Sequence, residues 1–220
     1  MPVVALAKLF PKEGKMKELL EVLRPEAEYV YSKELTTSAY YFFIDEANPN
    51  VLYGFERYES VENAQKVHMT SAPFNAFVEG SVAITEKPFE LEIYEPANIG
   101  FLSRPVFSSL QSPEIFVLCV TFIAKPGKGD YILNLCAPLA KHVEETELTT
   151  YSYYFTSAVE NKDKIMVFER YATRDASQVI HSHGEFFVKT FKELMDADVL
   201  AEPPSVLKCS ESGIGFLGRD

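Results

Sequence analysis

Tryptophan is absent from this 220-residue chain, and cysteine is scarce at three residues. Cys119, Cys136 and Cys209 are odd in number, lie in apolar surroundings and show no close metal-type spacing, which argues against a disulfide framework or a structural zinc site. No apolar run approaches the roughly 18 residues needed to cross a bilayer. A Gly-rich phosphate loop, a dinucleotide fingerprint and a metal-spaced cluster of His and carboxylates are all missing. The start, MPVVALAKLF, offers no basic segment or small-residue cleavage site and reads as a first strand. No Asn opens an Asn-x-Ser/Thr acceptor. Together these absences point to a reducing, cytoplasmic setting. Positive charge is also short: 21 Lys and Arg face 32 Asp and Glu, for a net charge of −11 that divides almost evenly between the two halves. An acidic surface of that kind argues against nucleic acid or an anionic membrane as partner.

What the chain has in quantity is apolar and aromatic side chains, 47% and 13% of its residues, enough for a sizeable core rather than disorder. It also says the same thing twice. ELTTSAYYFF begins at Glu34 and ELTTYSYYFT at Glu147, an offset of 113 that persists ungapped for about seventy residues. At that offset Pro25 falls on Pro138, the FERY run at Phe55–Tyr58 on the FERY run at Phe168–Tyr171, His68 on His181 and Phe74 on Phe187. IGFLSR from Ile99 and IGFLGR from Ile214 match again, now offset by 115. Two copies of one module of about a hundred residues account for the chain.

Within each copy, patterning gives the order strand, helix, strand, strand, helix, strand. Val3–Phe10 is β-rich, and a helical spacing of Met16, Leu19, Leu20, Leu23 and Ala27 follows. Thr37–Ile44 and Val51–Tyr58 form a hairpin around DEANPN; short helical patterns open at Ser60 and Ser71, and Phe89–Tyr94 closes as a strand. The second copy repeats this from Phe116 to Lys208. That order predicts an α+β chain of two ferredoxin-like, split βαβ modules, 1–98 and 115–220, joined by a Pro- and Ser-containing linker over 99–114. Along Thr37–Ile44 both faces of the strand are apolar, so a sheet covered by helices on one side needs a second sheet on the other. The expectation is an intrachain pseudo-dimer, one intramolecular dimeric α+β barrel, whose outer edges leave room for a further homodimer.

The motifs ELTTSAYYFF, ERYESVENAQKVH and HMTSAPFNAF, with their second copies ELTTYSYYFT, ERYATRDASQVIH and HSHGEFFVKTF, resemble the antibiotic biosynthesis monooxygenase family of the dimeric α+β barrel superfamily. The resemblance implies cofactor-independent oxygenation of a small aromatic, quinol or anthrone, or polyketide-derived substrate. In such relatives a base removes a proton and the substrate anion passes an electron to O2, so no cofactor and no metal is implied. The superfamily also holds polyketide cyclases and proteins without known activity, which leaves a cyclase and a non-enzymatic, stress-related binding barrel as alternatives. Relatives that degrade haem rely on a Trp, which this chain lacks.

His68 and His181 head the candidate catalytic residues, because each follows a short helix and is the one group titrating near neutral pH kept in both copies. A helix-end His that bonds a backbone carbonyl is the structural alternative. Tyr41 joins them as a phenol able to meet a developing oxyanion, and Tyr53, Phe55, Phe74, Tyr154, Phe168 and Phe187 offer walls for a small apolar or aromatic molecule. At the position of Tyr53 the second copy has Met166, which favours the first half as the active one. Glu56 and Arg57 are adjacent in a strand and point to opposite faces. The expected ion pairs are Arg57 with Glu34 and Arg170 with Glu147.

Overall fold

The computed structural model describes residues 1–104 and 112–218. Its elements, in chain order, are β1 (Val3–Leu9), α1 (Met16–Lys33), β2 (Thr37–Asp45), β3 (Leu52–Tyr58), α2 (Val61–Asn63), α3 (Ala72–Ser81), β4 (Glu90–Phe101), β5 (Phe116–Ile123), α4 (Gly129–Thr146), β6 (Thr150–Ala158), β7 (Lys164–Tyr171), α5 (Glu185–Asp196) and β8 (Ser205–Leu217). The order is the α+β order expected, twice over, with two ferredoxin-like modules. Two compact units result. The first holds Met1–Ile93 and the chain from Cys209 on; the second holds the chain from Tyr94 and Pro113–Lys208.

In the first unit the antiparallel strand order is β1-β3-β2-β8, and in the second β5-β7-β6-β4. Each sheet is therefore completed by a strand from the other half of the sequence. Ala39 to Asp45 of β2 pair with Leu217 to Cys209 of β8, and Tyr94 to Phe101 of β4 pair with Ala158 to Tyr153 of β6. Here the structure differs from the sequence reading, which ends the two strands at Tyr94 and Lys208 and treats 99–114 as linker. The stretch EPANIGF looks like a break because it holds Pro96, Asn98 at φ 56° and Gly100 at φ 77°, yet these residues form a bulge that lets the strand continue.

Why these residues fold this way is clearest in the first unit. The buried stripe of α1, Leu19, Leu23, Ala27 and Val30, recurs at helical spacing and lies on Tyr40, Phe42 and Leu52 of the sheet. Each leucine or valine of the stripe taken from water contributes about 1.5–3 kcal/mol. The helix stops at Glu34, whose backbone N–H still donates to the carbonyl of Val30, and β2 starts three residues later. The second unit repeats the layer with Ile132, Leu139, Ala140 and Val143 of α4 on Tyr153, Phe155 and Val167. One member of the first stripe is out of character: Glu26, 1% exposed, stands among these apolar residues.

Between the hairpin and the last helix of each unit the chain winds into a π-helical turn, Ala64–His68 in the first and Ala176–His181 in the second. The wide turn ends on the histidine both times. Such turns add a residue to the helix and re-aim the side chain that follows, which is why they gather at functional sites.

Candidate active site

Each unit contains a cavity between its sheet and its helices, of about 320 Å³ in the first and about 300 Å³ in the second. Both are apolar in their walls, and both receive the histidine that ends the π-helical turn.

In the first cavity His68 is 3% exposed and ringed by Tyr40, Tyr58 and Phe74, with centroid separations of 5.3, 5.3 and 5.0 Å. Its Nδ1 lies 3.1 Å from Oε2 and 3.3 Å from Oε1 of Glu34, so that N–H donates to a buried carboxylate. Thr37 Oγ1 donates to the same Glu34 Oε2 at 3.2 Å. The repeated ELTT is thus explained: its Glu orients the histidine and its second Thr holds the Glu. The repeated FERY supplies the opposite side. Glu56 lines the cavity and accepts from the Tyr58 hydroxyl at 2.8 Å. Nε2 of His68 faces the third carboxyl group, Glu26 Oε1, at 3.5 Å.

Three buried carboxyls around one imidazole decide where protons reside. Burial pushes Glu26 up to about 8, against the opposing pull of His68, so at neutral pH it is a neutral acid. Glu56 is likewise raised by burial. For His68, burial opposes the charged form, but the hydrogen bond to Glu34 and the charges of Glu56, Glu34 and Glu26 outweigh it and raise its pKa above 6.5. Tyr40 and Tyr58 are held well above 10, chiefly by burial, and stay protonated.

The second cavity keeps part of this set. His181 Nδ1 lies 2.9 Å from Glu147 Oε2, which also accepts from Thr150 Oγ1 at 3.0 Å, and Tyr171 donates to Glu169 Oε2 at 2.8 Å. What it lacks is the third carboxyl, because the residue at the Glu26 position is Leu139.

Among the residues singled out from the sequence, the structure brings His68 and Phe74 into the first cavity and His181 and Phe187 into the second. Tyr41, Tyr53, Phe55, Tyr154 and Phe168 line neither. Strand alternation puts Tyr40 and Phe42 toward the helices, and so Tyr41, Tyr53 and Phe55 fall on the other face of the first unit's sheet. There Tyr41 donates to Glu211 at 2.8 Å and Tyr53 stacks with Phe43 at 5.9 Å. In the second unit Tyr153 and Phe155 take the cavity side, which sends Tyr154 and Phe168 away from it. The ion-pair expectation also changes: Glu34 pairs with His68 rather than Arg57, whose Nη1 donates to Ser38 at 2.7 Å, and Glu147 pairs with His181 rather than Arg170. Tyr40 and Tyr58 belong to the group of strand tyrosines that the sequence offers as phenol donors and ring walls, whereas Glu26 escapes the sequence reading as a site residue. A carboxylate on the apolar stripe of α1, opposite a leucine in the second copy, was the signal for Glu26.

Comparison with known proteins agrees with this picture at the level of fold. A monooxygenase from Lactobacillus acidophilus NCFM, so named only as a candidate, shares 14% identity over 98% of this chain and 96% of its own, with a TM-score of 0.83. A second candidate monooxygenase, from Fusobacterium nucleatum, shares 15% over 100% and 96%, with a TM-score of 0.84. An anthrone oxidase-like protein shares 12% over 96% and 91%, with a TM-score of 0.59. No curated protein matches the chain. No helix among the described residues is long and apolar enough to cross a membrane. Residues 2–80, the stretch that holds the buried histidine and the three carboxyls, match the family model described as antibiotic biosynthesis monooxygenase.

Proposed function

We propose that the first module is a cofactor-independent monooxygenase that removes a proton from a small planar aromatic substrate of the quinol or anthrone kind and lets the resulting anion react with O2. The observation that carries this reading is the placement of His68: one nitrogen is fastened to Glu34, the other meets Glu26, and the ring itself lines an apolar cavity. That is the arrangement of a base with an orienting carboxylate. Neutral His68 accepts the proton at Nε2, the imidazolium is stabilised by Glu34, and Glu26, held as the neutral acid, stands beside Nε2 as a proton donor. For an anthrone-type substrate the balance is one ring methylene and one dioxygen giving one ring carbonyl and one water. The carbanion passes an electron to O2, the radicals combine to a peroxide anion that takes back the proton held by the site, and the hydroperoxide then loses its remaining ring C–H proton as the O–O bond breaks, the departing hydroxide taking that proton to leave as water. No reductant is consumed. An apolar cavity suits this chemistry because a bound substrate that displaces solvent from it keeps the anion from being reprotonated.

The test is oxygen uptake with an anthrone or a hydroquinone after exhaustive chelation and dialysis. Uptake should persist, and His68→Ala should lower it about a hundredfold or more, the usual scale for removal of a general base. Dependence on added flavin, NADPH or iron would defeat the reading. An equal loss on His181→Ala would overturn the assignment of the chemistry to the first module. Altered cyclisation of a polyketide without oxygen uptake would instead favour a cyclase.

A further inference from the structure

The second cavity has its own geometry. Glu147 is held below the usual carboxylate range: burial works against the charge, but the hydrogen bond from His181, its charge and the bond from Thr150 outweigh it. With the Nδ1 hydrogen directed at Glu147, the uncharged form of the ring carries its lone pair on Nε2. That Nε2 is fully buried, has no hydrogen-bond partner among the described residues and belongs to a side chain that lines the cavity. In the first module Glu26 stands at the corresponding place, but Leu139 cannot serve an acceptor. A buried acceptor left unmade is costly, so a ligand hydroxyl is what the site lacks.

The walls say what should carry that hydroxyl. Phe187 meets the His181 ring at 4.8 Å and lies parallel to Phe191, 5.8 Å away and within 6° of coplanar alignment. The first module has Val78 at the Phe191 position, so only the second cavity has this pair of parallel rings. With Tyr153 at 5.1 Å on another side of the imidazole, the space is bounded by rings and suits a flat molecule. Its volume of about 300 Å³ lies at the small end of small-molecule sites.

We infer that the second unit holds a separate binding site for a neutral, planar aromatic molecule bearing a hydroxyl group, which donates to His181 Nε2 while the rings lie against Phe187 and Phe191. The site does not depend on the reaction proposed for the first cavity.

The experiment is a titration of the full-length, 15N-labelled protein with 2-naphthol and, separately, with naphthalene, followed by imidazole nitrogen spectra. Four histidines make the spectrum small, and His181 is assigned by its loss in His181→Phe. The expected result is a saturable shift of His181 Nε2 with 2-naphthol, and binding about tenfold weaker for naphthalene at this site, the scale of one buried hydrogen bond. Leu139→Glu, which supplies a carboxyl group beside Nε2, should weaken 2-naphthol to a similar extent. If His181→Phe or Leu139→Glu fails to fold, the two titrations of the unaltered protein still decide. An Nε2 resonance that 2-naphthol leaves unmoved, or equal affinity for the two compounds, overturns the inference.

Discussion

At residue 26 the chain sets a carboxyl group in a stripe that leucines, an alanine and a valine otherwise fill, and its second copy shows the apolar alternative at Leu139. The folded pKa of Glu26 is raised from 4.5 to about 8, so the unfolded chain ionises first as pH climbs. Between those values the folded state binds more protons than the unfolded, and stability falls with rising pH. Glu26→Leu should therefore stabilise the protein at pH 8 by on the order of a few kcal/mol and by less at pH 5. Denaturant melts at the two pH values check this, and the same variant should lose oxygen uptake; stability gained with activity kept would show that Glu26 takes no part. At His68 the sign is set by Glu34. Its bond raises the imidazole pKa, so Glu34→Gln should move the His68 titration, followed by NMR, to lower pH. The histidines were legible in the sequence because they repeat. Which tyrosines accompany them was not, because both faces of β2 are apolar and alternation alone cannot say which face meets the helices; hence Tyr41 was chosen where Tyr40 stands in the cavity.

Among the elements, the long strands β4 and β8 depend on single glycines. An added Cβ at Gly100 would come within 1.8 Å of the Tyr153 carbonyl oxygen, and one at Gly215 within 2.0 Å of that of Tyr40, with φ at +77° and +104°. Gly100→Ala and Gly215→Ala should each cost at least about 1–3 kcal/mol, since strain and lost strand pairing add. Thermal melts would show it, and an unchanged Tm for either would mean that the strand pairing tolerates displacement. These glycines explain the repeated IGFL, which the sequence displayed plainly while its role as a strand stayed hidden behind Pro96 and Asn98. The π-helical turns were hidden for a related reason. One extra residue in a short helix leaves the apolar spacing almost unaltered, so a pattern with period 3.6 reads through it.

For the molecule as a whole, the division into units does not follow the division of the sequence. Repeat arithmetic located two modules and the order of their elements, but not that β8 returns to the first unit from the far end of the chain, because strand partners more than 160 residues apart leave no local mark. Removing the chain from Cys209 on should accordingly harm the first unit, stripping β2 of one neighbour and its core of Ile214 and Phe216, while the second unit retains its sheet through Lys208. Hydrogen exchange on the truncated protein should show protection lost along β2 and kept along β6; uniform loss would mean that the units unfold together. The same feature matters during synthesis. The first unit is translated first and finished last: its sheet waits for residues that leave the ribosome after the whole second unit. At usual elongation rates that interval is roughly 6–25 s. Throughout it the nascent chain carries β2, with its run of aromatic side chains, as an unpaired edge, the kind of segment that holding chaperones occupy.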